Sequence, residues 1–133
     1  MAAIKYTLSR DTSRRAPSVE AEAERLNKEG SLWYELNVKP QRADKDDLVY
    51  LIRNGAMLAR ARILDIAWKD VSEMGTTYTG AQVEKSCWRF EIKNIELAKR
   101  DIPHTGFQGF RYVTAKELPS FERAFKSSRR RRA

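Results

Sequence analysis

The sequence predicts an α+β fold, a small and mostly antiparallel β-barrel of about five or six strands flanked by helices. Three segments alternate apolar and polar residues, as strands with one buried face do: 31–39, 48–66 and 86–97. Asn54-Gly55 lies between the two apolar runs of the second segment and predicts a β-hairpin with a type I′ turn. No helical pattern separates these strands, so βαβ units are excluded and a barrel is favoured.

Two further segments carry the signals of helices. Residues 17–30 begin with Pro17, are acidic in the first turns and end at Gly30, so we expect a helix over this range. Residues 114–127 contain a Thr-x-x-Glu capping box followed by apolar residues at helical spacing, although Pro119 allows this helix to begin later. The two helices are expected to flank the strands.

The remaining segments predict short strands and connections. Residues 4–8 and 107–113 alternate as strands do, and the second of these segments is expected to close the barrel. We interpret residues 98–106 as a connector. Residues 67–85 are polar and lack a period, so they predict a long loop. A loop of that length in a small domain is typically functional or disordered.

The net charge of +8 comes entirely from the two ends of the chain. We expect a basic N-terminal segment 1–16, a barrel domain 17–126, and a basic tail 127–133 that is disordered. Residues 17–120 are neutral, so composition assigns any attraction to a polyanion to the ends. The arginine run of the tail attracts phosphates without reading base sequence, or it serves only solubility.

Composition also excludes several classes of protein. Cys87 is the only cysteine, so no internal disulfide forms, and its strand context predicts a buried structural thiol. No apolar run is long enough for a membrane span or a secretory signal. We therefore expect a cytoplasmic protein with no membrane partner.

Few residues offer enzyme chemistry. His104 is the only histidine and has no cysteine cluster beside it, so no metal and no other cofactor is predicted. As a general base, His104 would need an orienting partner such as Asp101. The sequence has no P-loop, no dinucleotide-binding glycine motif and no hydrolase nucleophile elbow, which argues against an enzyme.

Two motifs resemble the PUA-like β-barrel superfamily, particularly its ASCH and EVE branches. They are WYELNVKP at 33–40 and DDLVYLIRNGAMLARARILDI at 46–66. Domains of this superfamily resemble this sequence in the order of their features: an early Trp and Lys-Pro, a strand that follows Gly-Asp, a tight turn and a return strand. Here Asp46-Asp47 stands in place of Gly-Asp. The resemblance covers mainly residues 31–66 and implies a barrel whose mouth holds a nucleotide.

The resemblance implies two functions. Related domains bind structured RNA or hold a modified base in an aromatic cage, so nucleic acid, RNA in preference to DNA, is the expected partner. Some ASCH proteins resemble amidohydrolases acting on acetylated cytidine, and that alternative would use Lys39 with Glu35 or Glu91. A protein-interaction module with a basic tail is a third hypothesis. The sequence leaves the oligomeric state open.

The candidate nucleic-acid contacts are aromatic, glycine and basic residues of the barrel and the tail. Stacking a base on an aromatic ring contributes ~1–3 kcal/mol, and cationic side chains bind phosphate. The set comprises Trp33, Lys39, Arg42, Arg53, Arg60, Arg62, Trp68, Phe107, Gly109, Arg111, Arg129, Arg130, Arg131 and Arg132. We assign Trp88 to the core, because alternation places it on the same face of its predicted strand as Phe90 and Ile92.

The stretch HTGFQGFRYV at 104–113 has two interpretations. Alternation places Phe110 and Tyr112 in the core, and Phe107 and Arg111 outside, beside the bare backbone of the second glycine. A flat ring could lie on that backbone, with the arginine on its phosphate or base edge. Alternatively, the stretch is an ordinary closing strand with a glycine bulge.

Overall fold

The computed structural model describes residues 3–7, 19–30, 32–36, 39–53, 55–69, 87–107 and 110–126. Within these residues the elements are, in chain order, β1 (Ile4–Thr7), α1 (Val19–Glu29), β2 (Leu32–Leu36), β3 (Leu48–Arg53), β4 (Ala56–Lys69), β5 (Cys87–Pro103), β6 (Phe110–Tyr112) and α2 (Leu118–Arg123). The predicted α+β class, the number of strands and the mostly antiparallel pairing are confirmed.

The strands form one sheet in the order β2-β5-β4-β3-β1-β6. Neighbouring strands are antiparallel except β1 and β3, which run parallel. The sheet is strongly curled. Strands β1 and β2 are near opposite edges of the sheet, yet Tyr6 of β1 stacks on Tyr34 of β2 with 5.3 Å between the ring centroids. No ladder joins the edge strands β2 and β6 within the described residues, so the barrel is open along this seam.

The sheet separates two hydrophobic clusters. We call the side that carries Tyr6, Tyr34 and Phe90 the inner face, and the side beneath α2 the outer face. The inner core comprises Ile4, Leu26, Tyr34, Leu36, Val49, Leu51, Ala59, Ala61, Ile63, Phe90 and Ile92. On the outer face, Phe121, Ala124 and Phe125 pack against Tyr50, Ile52 and Met57. Consecutive residues of a strand point to opposite faces, so β3 contributes to both clusters.

Both helices lie within the ranges that the sequence predicts, and α1 ends where it is expected to. Gly30 adopts φ +88°, and its N–H donates to the Leu26 carbonyl at 2.7 Å, which ends α1 as predicted. Helix α2 is shorter than the predicted 114–127 and has Pro119 in its first turn. Thr114 and Glu117 exchange the predicted reciprocal hydrogen bonds, each 3.1 Å, in the turn before the helix. Neither described helix is long and apolar enough to cross a membrane.

The hairpin strands β4 and β5 are longer than predicted. Residues 67–69, predicted as loop, and residues 98–103, predicted as connector, belong to these strands. Three shifts of register interrupt the β4–β5 ladder, and such bulges break the period-two pattern that sequence reasoning depends on. Gly55 adopts φ +80°, as the predicted type I′ turn requires, whereas Asn54 lies outside the described residues.

The first and last strands meet in the sheet. Strand β1 lies between β3 and β6, with Ile4 opposite both Val49 and Tyr112. Part of the predicted N-terminal segment is therefore a barrel strand. The last strand is shorter than the predicted 107–113, and Phe107 lies in the loop before it. The predicted tail 127–133 lies outside the described residues.

Candidate nucleic-acid interface

Two tryptophans pair where β4 ends and β5 begins. Trp68 lies opposite Trp88 in the ladder, and their rings contact edge to face with 5.9 Å between centroids. Trp88 is partly buried against the inner core, whereas Trp68 is 51% exposed. A large exposed aromatic ring held by a second ring is a surface on which a flat group can stack.

A lysine lies over this tryptophan pair. Lys39 follows β2 and places its Nζ 5.2 Å from the centroid of the Trp88 ring. The side chain is exposed, while the adjacent Pro40 is buried and fixes the backbone. The negative face of the indole orients the ammonium group without neutralising it, so its charge remains available to a second partner.

An arginine occupies the corresponding position beside β6. The Arg42 guanidinium lies 4.0 Å from the centroid of the Tyr112 ring, and its backbone N–H donates to the Tyr112 hydroxyl at 2.8 Å. Lys39 contacts β5 and Arg42 contacts β6, so the segment 39–42 crosses between the two sides of the open seam. We call Lys39, Arg42, Trp68, Trp88 and Tyr112 the barrel mouth.

The mouth combines aromatic surface with uncompensated positive charge. Within the described residues, no carboxylate forms an ion pair with Lys39 or Arg42. Both cations are exposed. Such an arrangement suits a ligand that has a planar ring and a nearby anion, because the ring stacks while the anion meets the cations.

A second aromatic and basic group lies on the outer face. Phe110 and Tyr112 pack toward the inner core and Arg111 is exposed, which confirms the predicted alternation. The Arg111 guanidinium lies 4.8 Å from the centroid of the Phe107 ring. The Phe107 N–H donates to the Thr7 hydroxyl at 3.2 Å. The predicted bare backbone beside these side chains is that of Gly109, which lies outside the described residues.

His104 belongs to a cluster that sequence reasoning did not predict. Lys5 Nζ donates to both carboxylate oxygens of Glu117, at 2.8 and 2.6 Å, and contacts His104 Nε2 at 2.8 Å. His104 Nδ1 lies 2.7 Å from the Thr105 carbonyl, so Nδ1 donates there and Nε2 accepts from the lysine. The predicted partner Asp101 is wrong, because Lys5 and Glu117 fill that role.

The cluster is electrostatically satisfied. Burial alone would raise the pKa of the Glu117 carboxyl. Hydrogen bonds from Lys5 and from the Thr114 N–H, together with the lysine charge, instead lower that pKa to about 2. Lys5 is only 6% exposed. These groups therefore join β1, the loop after β5 and the start of α2.

The other predicted arginines are dispersed. Arg53 is 3% exposed, so its side chain does not face a ligand at the surface. Arg60 pairs with Glu96 at 2.9 Å and lies over the Phe125 ring on the outer side. Arg62 is exposed and donates to the Asp46 carbonyl at 2.8 Å. The Trp33 side chain, Gly109 and Arg129 to Arg132 lie outside the described part of the chain.

The alternative catalytic residues are not brought together. Lys39 lies over Trp88 on the inner side, whereas Glu91 points to the opposite face of β5 and pairs with Arg89 at 3.0 Å. Glu35 lies opposite Arg89 in the ladder, and its side chain is outside the description. No group of three or more His, Cys, Asp or Glu side chains among the described residues converges as a metal site.

Sequence reasoning missed Trp88 and Tyr112 as mouth residues. Both side chains lie on the core side of their strands. The alternation of residues along a strand shows which face a side chain is on, but not whether a ring near the end of the strand is partly exposed. One signal was available: Trp68 and Trp88 bracket the same long segment, so a hairpin that closes this segment pairs them. Lys5 and Glu117 are 112 residues apart and gave no local signal of their contact.

Comparison with known proteins identifies the fold. No protein family profile and no curated protein matches the sequence. The structure is similar to the crystal structure of ZmASCH from Zymomonas mobilis, a mutant in which one tyrosine is replaced by phenylalanine. The TM-score is 0.65 at 10% identity, over 95% of this chain and 100% of that one. At this identity, the likeness shows a shared fold.

Proposed function

We propose that this chain, which has the fold of an ASCH domain of the PUA-like superfamily, binds single-stranded nucleic acid at the barrel mouth. RNA is the expected partner, and bases stack on the exposed tryptophan. The basic tail residues Arg129 to Arg132 add phosphate affinity without selectivity. A cytoplasmic setting agrees with this proposal, because a lone buried thiol such as Cys87 suits a reducing compartment.

The observation that carries the proposal is the exposed Trp68 ring. An indole ring that is 51% exposed leaves apolar area in water, and the edge-to-face contact with Trp88 holds it in place. A base stacked on such a ring contributes ~1–3 kcal/mol, whichever base it is. Because the ring is already ordered, less conformational entropy is lost on binding.

The cations of the mouth supply the second half of the interaction. Lys39 and Arg42 lie over rings on either side of the segment 39–42, so phosphates on both sides of a stacked base would meet positive charge. Lysine binds phosphate as a point charge, and arginine binds it through paired N–H groups. Neither group forms an ion pair with a described residue, so no such pair must first be broken.

The interior of the barrel favours binding at the rim. Tyr6, Tyr34 and Phe90 contact one another with ring centroids 5.1 to 5.3 Å apart, so they fill the space beneath the mouth. A base, modified or not, would therefore lie on Trp68 and not within the barrel. A deep cage for a modified base would require these three rings to separate.

The amidohydrolase alternative has less support. Its lysine and the candidate carboxylate Glu91 lie on opposite faces of the sheet, and Glu91 is already paired with Arg89. If the chain nevertheless hydrolyses acetylated cytidine, and Lys39→Ala abolishes that turnover, the alternative replaces the binding proposal.

The test is fluorescence anisotropy with a short labelled single-stranded RNA, at low and moderate salt. Trp68→Ala should weaken binding roughly 5- to 150-fold, as expected for one lost stacking contact. Leu97→Ala is the matched control, because Leu97 is the other exposed large hydrophobic residue among those described, at 37%, and should leave binding unchanged.

A full-length variant with Arg129 to Arg132 replaced by glutamine separates the tail from the mouth. It should bind more weakly and with a shallower salt dependence, yet remain sensitive to Trp68→Ala. Two results together would show that the mouth is not the binding surface. The tail variant would lose all binding, and the single variant Trp68→Ala would bind RNA as tightly as the wild type. Absence of binding in every form would favour the protein-interaction hypothesis.

A further inference from the structure

The Tyr112 hydroxyl reaches the surface at the barrel mouth, while the ring that carries it is held by the core. Tyr112 is partly buried and packs against the inner core. Its ring contacts Phe110 edge to face, with 5.6 Å between the centroids. The hydroxyl oxygen accepts the Arg42 backbone N–H at 2.8 Å, in a hydrogen bond that is exposed to solvent. The hydroxyl is therefore fixed in a place that a ligand can reach.

This hydrogen bond determines what the hydroxyl can still offer. A tyrosine hydroxyl has one O–H donor and accepts through its lone pairs. The Arg42 N–H occupies one side of the oxygen, so the O–H of Tyr112 must point elsewhere. Within the described residues, no acceptor receives this O–H. The mouth therefore contains a neutral donor of restricted direction that a ligand can use.

The Arg42 guanidinium supplies charged donors next to this O–H. It lies over the Tyr112 ring, with its Cζ 4.0 Å from the centroid. None of its N–H groups forms an ion pair or a side-chain hydrogen bond with a residue that the structure describes. A neutral donor and a charged donor thus lie side by side at one aromatic ring.

Two adjacent donor groups fit a phosphate better than the edge of a base. The Watson–Crick edge of each base carries at least one donor, which suits a site that also offers acceptors. A phosphate offers acceptor oxygens alone, and tyrosine and arginine are both among the side chains that bind it. The chemistry of this part of the mouth is therefore that of a phosphate site.

We propose that the Tyr112 hydroxyl and the Arg42 guanidinium together bind one phosphate of the RNA strand. This inference rests on the binding proposed at the mouth, and it assigns Tyr112 a direct contact with the ligand beyond its support of the arginine. The O–H and a guanidinium N–H each donate to an oxygen of that phosphate. Because the hydroxyl is neutral and fixed in direction, it selects where the phosphate lies without adding to the salt dependence of affinity.

A purely supporting role for the hydroxyl predicts a different result. The segment 39–42 is also held by the buried Pro40 and by the Gln41 side chain, which donates to the Lys39 carbonyl at 3.3 Å. If the hydroxyl did no more than hold this segment, its loss would displace both mouth cations, Lys39 and Arg42. The salt dependence of binding would then become shallower. Loss of a direct contact lowers the affinity and leaves the salt dependence unchanged.

The first test is fluorescence anisotropy of the full-length protein with a short labelled single-stranded RNA over a range of salt concentrations. Tyr112→Phe removes the hydroxyl and keeps the ring beneath Arg42. It should weaken binding about ten-fold, as expected for one lost hydrogen bond to a charged group, with an unchanged slope of log affinity against log salt. Tyr50→Phe is the matched control, because the Tyr50 side chain is buried beneath α2 on the outer face. Urea unfolding of both variants reports whether either change disturbs the fold.

The second test asks whether the hydroxyl contacts a phosphate and not a base. A methylphosphonate linkage replaces one charged phosphate oxygen with a methyl group. Placed at each position of the RNA in turn, it should weaken binding to the wild type most at one linkage. At that linkage the penalty should be smaller in Tyr112→Phe, because the contact is already lost, and it should be unchanged in Tyr50→Phe.

Three results would overturn the inference: equal affinity of Tyr112→Phe and the wild type for the RNA, a shallower salt dependence in this variant, or equal methylphosphonate penalties in the two proteins at every linkage. Trp68→Ala, measured in the same titrations, separates this inference from the function on which it rests. If Trp68→Ala weakens binding and Tyr112→Phe does not, the mouth binds RNA without the hydroxyl. If neither variant changes binding, the mouth itself is excluded.

Discussion

The barrel mouth and the cluster of Lys5, His104 and Glu117 each contain a lysine beside an aromatic ring, yet the two lysines have opposite surroundings. Lys39 Nζ lies 5.2 Å from the Trp88 centroid, and Lys5 Nζ lies 5.9 Å from the Phe107 centroid. Lys39 is exposed and forms no ion pair with a described residue. Lys5 is buried and donates to both oxygens of a carboxylate.

This difference separates a cation that can bind a ligand from one that holds the fold. A buried charge is tolerated only when partners replace its lost hydration, so removing one partner leaves the other uncompensated. An exposed cation over a ring keeps its hydration until an anion arrives. We therefore expect substitutions at the cluster to affect stability and substitutions at the mouth to affect binding.

The largest effect should follow Lys5→Met. This change leaves the partly buried Glu117 without its main partner, and we expect a loss of about 3 kcal/mol in the free energy of unfolding. Urea denaturation measures it. Lys39→Met is the matched control and should change stability by less than about 0.5 kcal/mol. Equal losses in the two variants would remove the distinction between the two lysines.

The next effect is on the pH dependence of stability. The pKa of Glu117 is lowered from 4.5 to about 2 in the fold, so its ionised form stabilises the native state above pH 4.5. This contribution, up to roughly 3 kcal/mol, is lost as the pH falls from 4.5 toward 2. Urea unfolding across this range should show the loss. In Glu117→Gln it should be absent, and an unchanged slope would contradict the assignment.

A smaller effect compares the two arginines that lie on rings of the C-terminal stretch. Arg42 lies over Tyr112 at the mouth, whereas Arg111 lies over Phe107 on the outer face. Arg42→Gln should lower the slope of log affinity for RNA against log salt by about 1, because one phosphate contact is lost. Arg111→Gln should leave the slope unchanged. The reverse result would transfer the interface to the outer face.

The smallest effect is expected at Gly106. A Cβ built there would lie 3.5 Å from the Thr7 methyl group, which is an ordinary contact. Gly106→Ala should therefore change the free energy of unfolding by less than about 0.5 kcal/mol. Thermal and urea unfolding both report it. A loss well above that value would mean that the glycine backbone, and not the Lys5 cluster, determines the path of this loop.

Local chemistry made much of the fold predictable. Gly30 ends α1, and Gly55 has the positive φ that its turn requires, because each acts through its own backbone. The extent of β5 was not predictable from the sequence. Bulges interrupt the alternation of inward and outward residues along this strand, and Asn94 within it takes a left-handed conformation. Helix α2 ends at Arg123 although its apolar spacing continues to Ala124 and Phe125, and the capping pair lies in the turn that precedes it.

The candidate site was predictable only in part. Lys39, Arg42 and Trp68 were identified by residue type and position, and their contacts place them at one end of the barrel. Strand parity alone assigns Trp88 to the core, because exposure at the end of a strand depends on what the rest of the chain covers. The partnership of Lys5 with Glu117 depends on the pairing of β1 with β6, which no local pattern encodes.

The position of β1 between β3 and β6 also governs the order in which the sheet can be completed. Strand β1 precedes both of its neighbours, β3 and β6, in the chain, so it is synthesised before either of them and must wait for both. Until then a nascent chain carries an open strand edge and a lysine without its carboxylate. Open edges recruit other strands, so a stalled or shortened chain is at risk of aggregation. Synthesis of β6 is therefore the step that allows this edge of β1 to be closed.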